Sequence, residues 1–440
     1  MEQNYSRRQM LKGAGLGLTG LATISLSGCS LFSSGKAASS ATNTHLQMLW
    51  WGGATRNEAT RQALNVVATK AKGITVGGDS TSFSGYWTKL ASQVASGNPP
   101  DLIQMSIDYL AQYAGRGALV DLKQFPSAQL NLADISQASL ARTTQNGKLY
   151  AVPFGIGAQA LVYDRNVMDA AKVAGKISPS WTWTDLAAVA EAAAASVKTG
   201  KLGSARYGIQ DFSGAIYLAE IWLRQNGHEL YSTDLKSLGF PKQALIDWFD
   251  YWAGLRKSGA ATTAAATQAI LATTAEATGI AAIQAADSNQ LISYQATTKH
   301  PLDLAIVPST PGGPAGRYAE ATMYLSVAAK SKHLAQSIKV ANLLINDPDV
   351  GKMLSMERGV PESSKVAALV AASASAQNKV TIDYVELVGK HSQDPPQLGP
   401  KGAGDVTDAL QREAQEVAFG RKSSRQAVDS LFGEAAKALG

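Results

Sequence analysis

Leu46-Gln47-Met48-Leu49-Trp50-Trp51 is a short apolar run halted by Gly52-Gly53, and the sixty residues after it make it the first element of a repeating unit. A run of six residues, five of them apolar, is too short for a helix and suits a strand buried on both faces. Residues 57–72 then carry Ala59, Ala63, Val66, Val67 and Thr69 at helical spacing, ending at Gly73. Ile74-Thr75-Val76 reads as a second strand, followed by a Gly/Ser/Thr loop through Gly85. Tyr86 to Ser96 reads as a helix closed by Gly97-Asn98 and Pro99-Pro100. Asp101-Leu102-Ile103-Gln104-Met105 is a third strand. Strand, helix, strand, helix, strand at these spacings predicts a parallel sheet covered by helices, an α/β fold.

Farther along, Asn146-Gly147 turns into Lys148–Val152, then Pro153-Phe154-Gly155, then a strand over Ala160–Tyr163. Pro and Gly between two strands suit a crossing between lobes, where the backbone must absorb a change of φ and ψ. A second crossing is expected at Leu304–Ser309, before the Gly/Pro-rich residues 310–316. Between the crossings, Trp181-Thr182-Trp183-Thr184-Asp185-Leu186 opens a helix with Thr184 as the expected N-cap. Pro241–Ser258 forms a long amphipathic helix in which Trp248 and Trp252, four residues apart, belong to the core. Trp222, between Ile221 and Leu223, reads as core too. The Ala/Thr-rich stretch 259–282 is simple in composition yet helix-forming, and is expected to be folded.

The chain has 440 residues, enough for two or three domains at ~150 residues each. Its 45% apolar and 17% charged residues allow a sizeable core. A net charge of +6, from 40 basic and 34 acidic residues, is no nucleic-acid footprint, which needs a clustered basic face. The single cysteine, Cys29, excludes intrachain disulfides and multi-thiolate metal sites. Five scattered histidines make no HExxH, so neither a metal nor a cofactor is expected.

Residues 1–28 read as a secretory signal. Arg7-Arg8 opens it and resembles a twin-arginine export signal, with Met10 where that pattern usually has Phe. The uncharged run Gly13–Ser27 is about 15 residues, short of the ~20 a spanning helix needs. Leu26-Ser27-Gly28-Cys29 resembles a bacterial lipobox, which makes Cys29 the expected lipidated residue. Gly15-Leu16-Gly17-Leu18-Thr19-Gly20 matches GxGxxG by chance, since no strand precedes it. Residues 29–44, Ser/Ala/Gly/Thr-rich, read as a flexible tether.

Several motifs stand in a telling order. They are Trp51-Gly52-Gly53, Tyr86-Trp87-Thr88-Lys89-Leu90, Gly97–Leu102, Gly147–Pro153, Leu161-Val162-Tyr163-Asp164 and Trp181–Leu186. Leu325-Ser326-Val327, a helix from Lys332 to Asn346, Asp347-Pro348-Asp349 and Gly359-Val360-Pro361 complete the series. In that order the chain resembles a family 1 extracellular solute-binding protein, the sugar-capturing subunit of an ABC importer. The resemblance spans about residues 45–440.

The resemblance implies a two-lobed periplasmic-binding-protein-like fold, with hinge crossovers and a ligand cleft between the lobes. One lobe would comprise residues 45–155 and 308–355, the other 156–307 and 356–440. It further implies a monomer outside the cytoplasmic membrane that binds a mono- or oligosaccharide and partners ABC permease subunits. No nucleic-acid partner is implied. The sequence departs from the family at Ala286-Asp287-Ser288-Asn289, where relatives often carry a sugar-stacking tryptophan. It departs again at Gly157, where maltodextrin-type relatives carry an acidic sugar ligand.

A sugar presents an apolar ring face and a rim of hydroxyls, so its site needs aromatic planes and converging polar side chains. In an open α/β sheet such groups lie just beyond the carboxyl ends of strands. Trp51, Arg56 and Asn57 follow the first strand, Phe83, Ser84 and Tyr86 the second, and Ser106, Asp108 and Tyr109 the third. Past the first crossing come Gln159 and, after the strand-like Tyr207-Gly208-Ile209, Asp211. Asp287, Glu320 and Tyr324 complete the expected set. The competing roles are core packing at Trp51, a solvated helix start at Arg56 and Asn57, loop packing at Phe83, Ser84 and Tyr86, and helix capping at Asp108.

A secreted carbohydrate-active hydrolase is the alternative. It needs two carboxylates at a defined separation across the scissile bond, and no local motif singles out such a pair. GxSxG and a nucleophilic cysteine are both lacking, which favours a binding protein over an enzyme. If the lipobox reading is right, Cys29→Ala releases the folded protein from the membrane fraction; equal anchoring of parent and variant would reject it.

Overall fold

The structure is a computed structural model and describes residues 43–200, 202–272 and 279–440. The expected signal, Cys29 and all but the end of the expected tether lie outside the described residues. The strands are β1 (Thr44–Trp51), β2 (Ile74–Thr81), β3 (Leu102–Met105), β4 (Thr144–Gln145), β5 (Lys148–Leu149) and β6 (Val152–Asp164), continuing with β7 (Tyr207–Ile209), β8 (Ala281–Asp287), β9 (Leu302–Ile306), β10 (Ala319–Val327) and β11 (Val360–Pro361). β4 and β5 make a small hairpin of their own.

The remaining strands run in the order β2-β1-β3-β10-β6-β8-β7, with β9 and β11 also paired to β6. β1, β2 and β3 are parallel, as the opening unit predicts, and β10 closes that side antiparallel to β3. β6 belongs to both halves. Its first part, from Val152 to Ala158, pairs with β10 and β11; its second, from Gln159 to Asp164, pairs with β8 and β9.

Burial follows the same division. Along β1 the side chains alternate between two apolar clusters: Leu46, Met48 and Trp50 join one face, Leu49 and Trp51 the other. A strand covered on both faces explains the unbroken apolar run. The largest cluster lies beyond the crossing and gathers Trp181, Trp248, Trp252, Ile283, Leu410 and Val428. The last pass of the chain between the halves is pinned by arginines. Arg56 donates to the Glu357 carbonyl (3.0 Å), and Arg358 donates to Gln104 and Thr60 (2.9 Å each).

The structure corrects several local expectations. The glycine-rich stretch after Val76 is strand rather than loop, because β2 pairs with β1 as far as Thr81. Gly78 fits there because a methyl would meet the Met48 carbonyl oxygen at 2.2 Å. The two strands expected around Pro153-Phe154-Gly155 are one continuous β6. The helix Trp183–Val197 is capped by Thr182, not Thr184. The Thr182 hydroxyl accepts from the Asp185 amide while the Asp185 carboxylate accepts from the Thr182 amide, the reciprocal pair that satisfies two end donors. Glu320 and Tyr324 both lie inside β10.

The helix Trp183–Val197 rests directly on β7, and Gly208 permits the approach: a methyl there would sit 1.8 Å from the Ala190 carbonyl oxygen. Gly208→Ala should cost about 1–3 kcal/mol or more, read as a lower urea midpoint. Gly254→Ala, in the middle of the helix Lys242–Ser258 with open space around it, should instead raise stability by up to about 1 kcal/mol.

Candidate ligand cleft

The carboxyl ends of β1, β2 and β3 point to one edge, and the residues following them line it. Trp51, at the end of β1, makes edge contacts with Phe83 (5.4 Å) and Tyr86 (4.9 Å). Trp87 stacks on Tyr109 at 3.8 Å and 13°. Phe83 is 47% exposed, an uncommon state for a ring so embedded in an aromatic group. Tyr109 also faces the opposite half: a methyl at Gly404, in the helix Ala403–Ala418, would come within 3.1 Å of its ring.

Across that edge lies a cavity of about 40 Å³, room for a few water molecules and no more. From one side come Asp108, Arg142 and Glu320; from the other come Tyr217, Glu220 and Tyr231. Asp108 accepts from the Ser106 hydroxyl (3.0 Å) and from the Tyr217 hydroxyl, a hydrogen bond that spans the two halves. Arg142 donates to Glu320 (2.6 Å) and to the Pro396 carbonyl, a second link across the gap. Glu220 accepts from Tyr318 (2.6 Å). A wider groove of about 1000 Å³, lined by Arg224, His228, Glu229 and Asp394 among others, shares Tyr231, Pro396 and Gln397 with the cavity.

Loss of water governs the electrostatics here. Burial pushes the Glu220 carboxyl up to about 7, aided by the nearby charges of Glu320 and Asp108. Burial likewise raises Asp287 to about 7, against the pull of Arg56. Asp108 and Glu320 are raised by the same cause, and the hydrogen bonds of Tyr217 and the charge of Arg142 oppose it.

Of the expected site residues, Asp108 and Glu320 line the cavity, Ser106 bonds to Asp108, and Trp51, Phe83 and Tyr109 form the aromatic edge. Asp287 holds Gln159 (2.5 Å) at the end of β8. Four others serve the framework. Arg56 is 2% exposed and ties β1 to residue 357. Tyr86 is fully buried, donating to the Gln104 and Leu49 carbonyls. Asn57 accepts from the Trp50 indole (2.8 Å). Asp211 is buried in an ion pair with Arg256 (2.5 Å) while also accepting from the Ser213 amide. None of the four lines the cavity, and each is engaged by partners within the protein. Tyr324 is buried too, but its hydroxyl has no partner among the described residues.

Arg142, Tyr217, Glu220, Tyr231 and Tyr318 escaped the sequence reading. One signal was available: in the apolar helix Ile216–Gln225, Glu220 and Arg224 stand four residues apart, where a core helix has no use for charge. Arg142 carries no such signal.

The model of the bacterial extracellular solute-binding protein family matches residues 53–350. The chain belongs to this family. An extracellular solute-binding protein family 1 member from Alicyclobacillus acidocaldarius is 28% identical, with a TM-score of 0.64, over 90% of this chain and 98% of that one. A periplasmic oligogalacturonide binding protein from Yersinia enterocolitica, in complex with saturated digalacturonic acid, is 21% identical with a TM-score of 0.77 over the same shares. An ABC substrate-binding protein from Listeria monocytogenes, in complex with cycloalternan, is 16% identical with a TM-score of 0.73, again over 90% and 98%. At those last two identities the likeness is one of fold: two lobes, joined by crossing segments, with a cleft between them. Among the described residues no helix is long and apolar enough to cross a membrane.

The raised Glu220 carboxyl gives this fold a pH signature. Its folded pKa of about 7 lies above the usual 4.5, so its contribution to stability is full below about pH 4.5 and lost as pH rises through 7. Glu220→Gln keeps an acceptor for Tyr318 and removes the titration. The melting temperature of the variant should therefore fall less between pH 5 and 8 than that of the parent. Parallel curves would exclude a buried, titrating Glu220.

Proposed function

We propose that this solute-binding protein captures a mono- or oligosaccharide in the cleft and delivers it to the permease subunits of an ABC importer. It acts as a monomer on the outer face of the cytoplasmic membrane, held there by a lipid on Cys29. The observation that carries the reading is the cavity walled from both halves by carboxylates, an arginine and tyrosine hydroxyls, flanked by an aromatic edge. That is the chemistry a sugar requires, hydroxyl partners on the rim and an apolar plane for the ring. The oligosaccharide ligands named for two neighbours of the same fold point the same way.

On this reading residues 45–155 with 308–355 make one lobe and 156–307 with 356–440 the other. The split pairing of β6 and the separate apolar clusters support it. Asp108, Glu320 and Arg142 would meet the ligand from the first lobe, and Tyr217, Glu220 and Tyr231 from the second. The cavity of about 40 Å³ is too small for a sugar ring, so its walls must part to admit one. Closure over the ring is driven only by the ligand's preference for the closed form, which contacts from both walls supply.

The experiment joins affinity, scattering and chemistry. A saccharide that raises the melting temperature should shrink the radius of gyration and be recovered chemically unchanged. Asp108→Ala should weaken its binding by at least about fivefold while leaving the empty fold stable. Asp211→Ala should act differently, lowering the stability of the empty protein because Arg256 loses its buried partner. Protein-dependent cleavage that survives re-purification would move the assignment to a hydrolase.

A further inference from the structure

We infer that the cleft selects an uncharged saccharide and rejects uronic acids, an inference that rests on the sugar-capture reading above. The cations of the site are already engaged. Arg142 and Arg224 are the arginines at the cavity and its groove, and among the described residues neither wall includes a lysine. Arg142 gives one terminal nitrogen to Glu320 and the other to the Pro396 carbonyl. Arg224 gives its nitrogens to Glu229 (3.2 Å), the Gly316 carbonyl (3.2 Å) and the Asp394 carbonyl (2.7 Å). A carboxylate is held best by a guanidinium fork offering two parallel N–H groups. Both forks here are already occupied.

The anions point to the same conclusion. Asp108, Glu220 and Glu320 face the cavity from opposite walls, with one cavity arginine among them. They lie near enough to raise one another's pKa: Glu320 and Asp108 push Glu220 upward, and Asp108 pushes Glu320. Any negative group entering this space meets the same repulsion, strengthened where water is excluded. Hydroxyls face no such barrier. They can donate to Asp108 and Glu320, and the Arg142 Nε beside them is a donor with no partner among the described residues. Donors and acceptors side by side, with no spare arginine or lysine, are what a neutral polyol needs. The fold itself admits acidic sugars, since a neighbour holds digalacturonic acid, so the discrimination belongs to these side chains.

A matched pair of probes tests this. Galactobiose and digalacturonate of the same linkage differ only in their carboxylates. Both are titrated calorimetrically into the whole mature protein, alongside maltotriose, cellobiose, xylobiose and arabinobiose. At least one uncharged saccharide should bind, and digalacturonate should bind at least about tenfold more weakly than the best of them, or not at all. Digalacturonate binding as tightly as the best uncharged probe would overturn the charge inference and leave sugar capture intact. No binding by any member of the panel would overturn both. In Glu220→Gln, which removes one carboxylate, the ratio of galactobiose to digalacturonate affinity should fall. A ratio that is unchanged, for a variant that still binds, would take Glu220 out of the selection and overturn the electrostatic basis of the inference.

Discussion

Strand β6 pairs with two different sets of strands along its 13 residues, and the rest of the molecule is arranged around that fact. A strand in mid-sheet must find partners on both edges for its backbone N–H and C=O groups. β6 finds β10 and β11 for its first half and β8 and β9 for its second. Each half-strand therefore recruits its own neighbouring strands, and separate apolar clusters grow on the two sides of one continuous backbone. Glycines 155 and 157 sit at the handover. A methyl on Gly155 would press against the Arg358 and Val360 carbonyl oxygens at 2.8 Å, so the returning segment passes close only because that side chain is absent.

The cleft inherits its properties from this layout. It forms where two separately packed halves face each other, so its walls need not fill each other's gaps as core surfaces do. Polar groups can then be carried into a place that becomes dry when the halves approach. Burial is the dominant cause of every raised carboxyl in the cleft, and the Tyr217–Asp108 and Arg142–Pro396 contacts show how the opposing groups are met. A buried polar group left unpaired is costly, so such a surface favours whatever ligand supplies the missing partners.

The framework was legible because it is written in local pattern. The run Leu46–Trp51, the helix after it, and the Gly-Asn-Pro-Pro stop before Asp101 set out three strands and two helices by spacing alone. The place of Asp108 at the cavity was legible for a related reason: it lies just beyond β3, and the carboxyl ends of parallel strands share one edge. The misreadings have local causes too. Thr182 and Thr184 are equally good caps by residue type, and only the reciprocal bond with Asp185 separates them. Pro153 and Gly155 look like breakers, yet partners on both sides hold them in a strand.

Residue type and spacing thus determined by themselves the α/β class, the order of the elements, the apolar cores and the edge where a cleft must open. These follow from short-range periodicity and from the need to bury apolar surface, both of which a linear chain displays. Tertiary structure alone decided which polar residues face the cavity. Arg56, Tyr86 and Asp211 look as suitable as Asp108 in the sequence, but their partners lie elsewhere in the chain: residue 357, Gln104 and Arg256. Arg142, Tyr217 and Glu220 meet across a gap between segments that are far apart in the chain. A hydrogen-bonding group's availability depends on where all its possible partners have gone, and that is a property of the folded whole.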